Sequence, residues 1–313
     1  VYKRQALIGP LARRMGFPPD DVDTLVAMCQ HHLLLPDVAT RRDLNDDGTI
    51  RYVADAVESV ELLELLGALT EADSIATGPS AWNSSKSALV AELVLRTRHV
   101  LEGGDAEAIA GPRFPSAEQL DLMRAEEFAV DIIDHRITVV QRDQPGAFFR
   151  AAGVLTLNGL DIKAAAAHTE NGMALAEFEV SGEPDRKRLE VQLEAGAHGR
   201  IALDALVDER RRTYERSRRR MSARPVVAAV TFDNVSSTSA TVIEVTGRDE
   251  IGVLYRIARA LNELRVSIWT ARIQTIGDAV IDAFYVTHEG SKITDDRHQQ
   301  EIERAVLHAI GRK

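Results

Sequence analysis

The stretch Arg248–Ile268 reads RDEIGVLYRIARALNELRVSI, and the earlier stretch Arg142–Ile162 reads RDQPGAFFRAAGVLTLNGLDI. The two stretches are related by a constant offset of 106 residues, the distance from Arg142 to Arg248. A register that is kept this long without a gap indicates a duplicated structural unit. Identical pairs at this offset are Arg142/Arg248, Asp143/Asp249, Gly146/Gly252, Arg150/Arg256, Ala152/Ala258, Leu155/Leu261 and Ile162/Ile268.

Each copy predicts a strand followed by a helix. The strands are Ile137–Val140 and Val242–Val245, two β-branched runs that precede an Arg-Asp pair. A glycine then opens an amphipathic helix, because apolar residues recur with helical spacing on one of its sides. They are Leu254, Ile257, Ala258, Leu261 and Leu264 in the second copy and Phe148, Ala151, Ala152 and Leu155 in the first.

A second and a third strand, joined by a turn, follow in each copy. The turn of the first copy is Asn171-Gly172, a strong hairpin signal because both residues tolerate a positive φ. The turn of the second copy is Gly277-Asp278. The run Ala164–Ala167 favours a helix by propensity, but the repeat register predicts a strand there. A further helix follows near residues 184–195 and 295–310.

The resulting order, β-α-β-β-α, lacks one strand of a ferredoxin-like βαββαβ sandwich. We assign Val226–Phe232, which follows Pro225, as the fourth strand of the first unit; the alternative is that it pairs with the second unit. No strand is evident after Ile310, so the second sheet is expected to have three strands or to borrow one.

The preceding part of the chain predicts helices and a linker. Residues 6–102 show helical patterns, including one long helix from about Ile50 to Leu69. The stretch Gly103–Gln119 is rich in Gly, Ala and Pro, and its end, Ser116-x-x-Gln119, predicts a capping box. The predicted fold class is therefore α+β, with an all-α domain over 1–102, a linker over 103–130 and ferredoxin-like units over 131–235 and 236–313.

Composition and charge exclude several classes of protein. The chain has 313 residues, 45% of them hydrophobic and 27% charged, as in ordinary globular proteins. Its one cysteine, Cys29, rules out an internal disulfide and fits a cytoplasmic protein. There is no run of about 18 apolar residues, so no membrane span is expected. The net charge of −10 disfavours nucleic-acid binding by the whole chain. Because the chain begins with Val1 rather than methionine, we expect a fragment.

An arginine-rich segment, Glu209–Arg224, lies between the two copies and contains eight arginines. One interpretation is a patch that binds RNA or an acidic protein. The other is a solvated helix and loop that link the copies. We favour the second, because no aromatic residues are interleaved in the manner of a nucleic-acid site and the rest of the chain is acidic.

The glycines Gly146 and Gly252, each at a strand-to-helix turn, are candidate ligand-binding residues together with Asp143 and Asp249. A glycine lets a ligand approach the backbone closely. The start of the following helix offers N–H groups and a positive dipole end for an α-carboxylate, and the aspartate suits an α-amino group. The alternative is structural: the aspartate caps the helix and the glycine makes the turn. In the first copy Pro145 removes one N–H donor.

Candidate metal ligands occur in the helical part of the chain, at His31, His32 and Asp73. Imidazole and carboxylate groups are good ligands for divalent metals. The alternative is that one histidine is exposed and the other ends a helix. Neither repeat shows a Ser-His-Asp arrangement or a phosphate-binding glycine loop, so the repeats are suited to recognition rather than to catalysis.

The Asp-x-x-Gly turn inside a ferredoxin-like unit resembles the ACT domain, a regulatory module that senses amino acids. Two such units in tandem, the second with the sequence TVIEVTGRDEIGVLYRIARAL, resemble the end of the bifunctional PII-protein uridylyltransferase/uridylyl-removing family of bacterial nitrogen control. The resemblance implies glutamine as the allosteric effector and the PII signal-transduction protein as the partner.

The stretch HHLLLPDVATRRDLNDDGTI, followed by ALTEADSIATGPSAW, resembles the second half of the HD phosphohydrolase domain of the same family. In that family a histidine, an adjacent His-Asp pair and a late aspartate hold a divalent metal, Mg or Mn. Asp73 matches the late aspartate and His32 a histidine at a helix end. The His-Asp pair and the nucleotidyltransferase domain are absent from this sequence, so the chain alone is expected to be inactive.

The resemblance thus implies a glutamine-sensing enzyme that uridylylates, or adenylylates, the PII protein and hydrolyses the modification. A stringent-response hydrolase also joins HD and ACT domains, but it has a long synthetase region where this chain has a linker of about 30 residues. A third alternative is an amino-acid-binding regulatory module without enzymatic activity. Neither nucleic acid nor a membrane is an expected partner.

Overall fold

The computed structural model describes residues 2–78, 82, 84–109, 114–218, 226–276 and 279–311. It divides the chain into two compact units. The first comprises Val1–Gly111 with the short segment Val235–Thr238, and the second comprises Pro112–Asn234 with Ser239–Lys313. Across the described residues, no helix is both long enough and apolar enough to cross a membrane.

The first unit is helical, as predicted. Its core consists of aliphatic side chains that are almost fully withdrawn from solvent, among them Leu35, Ile50, Leu63 and Leu93. A short 3-10 helix at Ala106–Ile109 follows the last α-helix. The α-helices are α1 (Tyr2–Met15), α2 (Pro19–His31), α3 (Leu34–Arg41), α4 (Asp47–Val57), α5 (Val60–Thr77) and α6 (Ser84–Leu101).

The prediction of a single long helix from Ile50 to Leu69 is wrong. Glu58 ends α4 in the left-handed conformation, with φ of 59°, and Ser59 starts α5. The Ser59 hydroxyl accepts a hydrogen bond from the backbone N–H of Leu62, which satisfies one of the free donors of the new helix. The apolar stripes of α4 and α5 have nearly continuous spacing, and this hid the break.

The second unit combines an antiparallel sheet with helices, which confirms the α+β class. Its helices are α7 (Ala117–Arg124), α8 (Ala147–Leu157), α9 (Arg186–Ala197), α10 (Leu203–Arg218), α11 (Val253–Glu263) and α12 (Asp296–Gly311). Its strands are β1 (Ala129–Ile133), β2 (Arg136–Arg142), β3 (Asp161–Glu170), β4 (Met173–Ser181), β5 (Ala229–Asp233), β6 (Thr241–Arg248), β7 (Val266–Ile276) and β8 (Ala279–His288).

The two repeats share one eight-stranded sheet, in the order β1-β2-β4-β3-β7-β8-β6-β5. They meet at β3 and β7, where Ala165 pairs with Ala271 at the centre of a short antiparallel register. The helices α8 and α11 match residue for residue at the offset of 106. The strand prediction at Ala164–Ala167 is confirmed, because the whole run pairs with β4.

The predicted strand order βαββαβ is wrong. Each repeat has the order ββαββα, because its additional strand comes first and pairs with the strand that follows it. The segment assigned to the end of the first repeat forms β5, which pairs with β6 of the second repeat. The second repeat therefore has four strands without borrowing one. Pairing with a strand that is close in sequence is favoured over pairing with a distant strand, because closing a short loop costs less conformational entropy.

The hairpin turn at Asn171-Gly172 has the predicted conformation, with φ of 50° and 75°. The corresponding prediction at Gly277-Asp278 lies outside the described residues. Most of the apolar side chains of the sheet pack against α8, α9, α11 and α12 in one continuous core that spans both repeats. A smaller cluster around Met123, Val140 and Leu175 packs α7 against the first repeat.

The capping box at the start of α7 is confirmed. The Ser116 hydroxyl accepts from the backbone N–H of Gln119, and the Gln119 side chain accepts from the backbone N–H of Ser116. We expect Ser116→Ala to lower the free energy of unfolding of the second unit by about 1 kcal/mol, the usual cost of losing an N-cap. Chemical denaturation measures it. Ser116→Thr keeps a capping hydroxyl and should cost less; equal losses would contradict this role.

Candidate functional site

The turn of the first repeat places Gly146 between β2 and α8. Gly146 has φ of 91°, a left-handed conformation that other residues adopt only with strain, and it is the residue before the first turn of α8. The N–H of Ala147 donates to the Gln144 carbonyl at 3.1 Å, and no side chain caps this helix, so the N–H groups of Phe148 and Phe149 lack both an intrahelical partner and a side-chain cap. Asp143 is exposed, and its backbone N–H donates to the Gly172 carbonyl at 2.8 Å.

The turn of the second repeat repeats this arrangement before α11. Gly252 has φ of 75° and is the N-cap residue of α11. Asp249 is half-buried. The capping role that was the structural alternative is therefore not filled by Asp143 in the first turn. Glu250, inside the turn, forms an ion pair of 2.9 Å with Arg256 on the next helical turn.

A cavity of about 380 Å³ opens at the turn of the first repeat. Its walls come from both repeats, because the turn and the start of α8 face the end of α11 and the start of β7. Pockets of this size hold small molecules. The polar residues in its lining are Gln141, Asp143, Gln144, His168, Thr169, Asn262, Arg265 and Ser267.

A second cavity, of about 490 Å³, opens at the turn of the second repeat. In this cavity the turn of the second repeat faces the end of α8 and the start of β3 of the first repeat. The second cavity is therefore equivalent to the first, with the roles of the two repeats exchanged. Asn262 and Arg265 of the first cavity correspond to Thr156 and Gly159 of the second at the offset of 106. Charged residues dominate its polar lining: Asp161, Lys163, Arg210, Asp249, Glu250 and Asp282.

The four ligand-binding residues predicted from the sequence thus divide between the cavities. Asp143 and Gly146 line the first cavity, and Asp249 and Gly252 line the second. The sequence could not reveal the opposite wall of either cavity, because each wall is supplied by the other repeat through the pairing of β3 with β7.

Gln141 is a candidate that sequence reasoning missed. Its side chain is 4% exposed and lines the first cavity; the amide nitrogen donates to the Ala147 carbonyl at 3.3 Å. Its carbonyl oxygen has no hydrogen-bond partner, which is costly for a buried acceptor. A signal was present, because Gln141 continues the alternation of Ile137 and Val139, both in the core, and is polar where an apolar residue is expected.

Tyr255 of the second repeat is the counterpart of Phe149 of the first. The two rings are in edge-to-face contact, with their centroids 5.7 Å apart. The Tyr255 hydroxyl donates to Asp204 of α10 at 2.6 Å. Burial of the phenol raises the pKa of Tyr255, and the hydrogen bond to Asp204 and its negative charge add to this effect. The phenol is therefore neutral at physiological pH and acts as a hydrogen-bond donor.

The metal candidates lie in the first unit. His32 follows the end of α2 and is half-buried, and its Nδ1 lies 2.9 Å from the Cys29 carbonyl. Asp73 is exposed on α5. Within the described parts of the chain, no three His, Cys, Asp or Glu side chains are grouped so that they could hold a metal ion.

Comparisons with known proteins agree with this architecture. A family model for the ACR9-like, ACT-like domain matches residues 229–311, the second repeat including β5. The bifunctional uridylyltransferase/uridylyl-removing enzyme of Streptomyces coelicolor is 32% identical over 91% of this chain and 40% of that enzyme. The enzyme of the same name from Mycobacterium tuberculosis H37Rv is 34% identical over 90% of this chain and 37% of that enzyme.

The crystal structure of an unknown protein from Galdieria sulphuraria aligns with 56% of this chain and 89% of that one, at 13% identity and a TM-score of 0.19, which supports no conclusion. The chain spans about 40% of the length of the curated relatives it matches. The similarity to those relatives nevertheless extends over nine-tenths of the chain and confirms the resemblance found in its sequence. The chain is therefore a homologue of the bifunctional uridylyltransferase/uridylyl-removing enzymes, and its residues 229–311 are an ACT-like domain.

Proposed function

We propose that this chain provides the amino-acid-sensing part of an enzyme that attaches a uridylyl group to the PII nitrogen-regulatory protein and removes it again. The homologues named for these two activities support the reaction class. The observation that carries the sensing role is the pair of cavities, each built from the Asp-x-x-Gly turn of one repeat and the opposite edge of the other.

Glutamine is the proposed effector, and the chemistry of the first cavity fits a small zwitterion. The uncapped start of α8 suits its α-carboxylate, since free N–H groups and the helix dipole both attract negative charge. Asp143 suits the α-ammonium group. The unpartnered carbonyl of Gln141 is an acceptor for a ligand N–H, which a side-chain amide supplies.

The proposed hydrolysis uses a divalent metal, Mg²⁺ or Mn²⁺, in the intact cytoplasmic enzyme. His32 and Asp73 are the ligands that this chain would contribute, and a stable centre needs three or more. We therefore expect the chain alone to bind these metals weakly and to leave uridylylated PII unhydrolysed. The lack of a third ligand among the described residues also favours a second candidate for the chain by itself, a purely regulatory amino-acid-binding module.

L-Glutamine at millimolar concentration should raise the melting temperature of the chain, because a ligand that binds the folded state stabilises it. D-Glutamine and L-leucine are the controls. Gln141→Met removes the buried acceptor at similar volume, and we expect it to weaken glutamine binding at the first cavity by several-fold to about tenfold. A thermal shift assay measures the melting temperature, and isothermal titration calorimetry measures the affinity. A thermal shift with another amino acid but none with glutamine would contradict the effector assignment.

A further inference from the structure

The two cavities differ at the position of Arg265, which has no arginine as its counterpart in the first repeat. Arg265 follows α11 and lines the first cavity. Its counterpart in the first repeat is Gly159, which follows α8, has φ of 77° and lines the second cavity. The repeat itself therefore supplies no guanidinium to the second cavity at this position.

Arg210 of α10 takes that place. A Cβ atom built on Gly159 would lie 2.9 Å from Nη2 of Arg210, so the guanidinium rests where the side chain of the counterpart residue would begin. Arg210 lines the second cavity, and in the part of the chain that the structure describes no carboxylate forms an ion pair with it. Each cavity thus has one arginine in its lining, although the two arginines come from unrelated elements.

One side of α10 is buried, and this side holds the helix at the second cavity. Leu203, Val207 and Arg211 recur at every fourth residue and are only 6%, 2% and 6% exposed. Val207 packs directly on Gly252, where an added Cβ would lie 2.5 Å from its Cγ1 atom. The glycine of the second turn therefore makes room for α10.

Polar contacts fix α10 to the second repeat and have no counterpart in the first. Asp204 accepts from the hydroxyl of Tyr255 and from the guanidinium of Arg259, and Arg211 lies 3.9 Å from Glu250. The corresponding residues of the first repeat are Phe149, Gly153 and Gln144, of which none offers the same group. The first repeat receives α10 without such polar contacts, through Gly153 and Gly159, which lie beside Leu203 and Arg210.

We propose that Arg265 and Arg210, one in each cavity, bind the carboxylate of a small-molecule effector together with the helix start at that cavity, and that α10 is therefore part of the second site. The inference rests on the proposed amino-acid-sensing function. A guanidinium pairs with a carboxylate through two parallel hydrogen bonds. Of the other charged residues that line this cavity, Lys163 pairs with Asp161 and Glu250 pairs with Arg256, while Asp249 and Asp282 add two further carboxylates.

A consequence is that occupancy of the second site is coupled to the position of α10. A ligand that binds better when α10 is docked shifts the helix toward its docked position. The first site has no such helix among the described residues, so its ligand contacts only the repeats. The two sites then bind the same effector, but only binding at the second site changes the position of α10.

The test measures binding and the docking of α10 together. The common L-amino acids are screened at millimolar concentration by thermal shift, and each one that binds is titrated calorimetrically into the chain, Arg210→Ala, Arg265→Ala and the control Arg212→Ala. Arg212 is a neighbouring exposed residue of α10. Hydrogen exchange of residues 203–213 is followed with and without ligand.

We expect Arg210→Ala to weaken one of two sites by at least about tenfold and Arg265→Ala to weaken the other. Ligand should slow exchange of residues 203–213 in the chain and in Arg212→Ala, but not in Arg210→Ala. A single site that Arg210→Ala weakens would also support the proposal. Binding that Arg210→Ala leaves unchanged would overturn it and leave the proposed function standing, whereas no binding by any amino acid would overturn both.

Discussion

Gly252→Ala is expected to lower the free energy of unfolding of the second unit by about 2–5 kcal/mol. A left-handed conformation costs a residue with a side chain about 1–2 kcal/mol, and Gly252 has φ of 75°. The new Cβ would also lie 2.5 Å from Val207, and overpacking a buried contact costs about 1–3 kcal/mol. Urea denaturation followed by Trp269 fluorescence, in a Trp82→Phe background, measures the change.

Gly290→Ala is the matched control for Gly252→Ala. Gly290 also has φ of 75°, but an added Cβ would meet nothing within 4 Å, so only the conformational cost of about 1–2 kcal/mol remains. Val207→Ala in the Gly252→Ala background should recover stability, so that the double variant is less destabilised than the sum of the single variants. Equal losses for the two glycine variants, with additive behaviour of Val207→Ala, would show that α10 does not pack on this turn.

Phe178→Ala and Phe284→Ala should each lower the free energy of unfolding by about 3–5 kcal/mol, and both should shift one shared transition. The two residues are counterparts at the offset of 106, and both are 0% exposed. They belong to one core that spans the repeats, beneath one continuous sheet. Loss of either ring therefore destabilises both repeats together.

Differential scanning calorimetry and Trp269 fluorescence separate this expectation from its alternative. If the repeats were independent domains, Phe178→Ala would leave a transition of the second repeat at its original temperature while the first repeat melted earlier. Val191→Ala, on an exposed position of α9, is the control and should change stability by less than about 0.5 kcal/mol. A split transition in Phe178→Ala would contradict the shared core.

The local elements were predictable where local chemistry decides them. The apolar spacing of α8 and α11, the Asn171-Gly172 turn and the Ser116 cap all depend on residues within a few positions of each other, and the structure has them as predicted. The repeat register was strong enough to identify β3 against the helix propensity of its alanines.

Predictions failed where two local signals conflicted or where the sequence of a strand was compatible with pairing in either repeat. The break between α4 and α5 depends on the Ser59 cap, which the uninterrupted apolar pattern concealed. Val226–Phe232 has the pattern of a strand in either repeat, and its pairing with β6 follows from the short connection rather than from its own composition.

The sequence by itself determined that two copies of one unit are present, that each has an Asp-x-x-Gly turn before a helix, and to which enzymes the chain is related. These features are encoded in short stretches, and a register of 106 residues makes them visible. Only the tertiary structure decided that the copies join through β3 and β7, that each cavity is completed by the opposite copy, and that Arg210 stands above Gly159. Those contacts unite residues far apart in the chain, and their free energy depends on the packing of the whole sheet rather than on any local pattern.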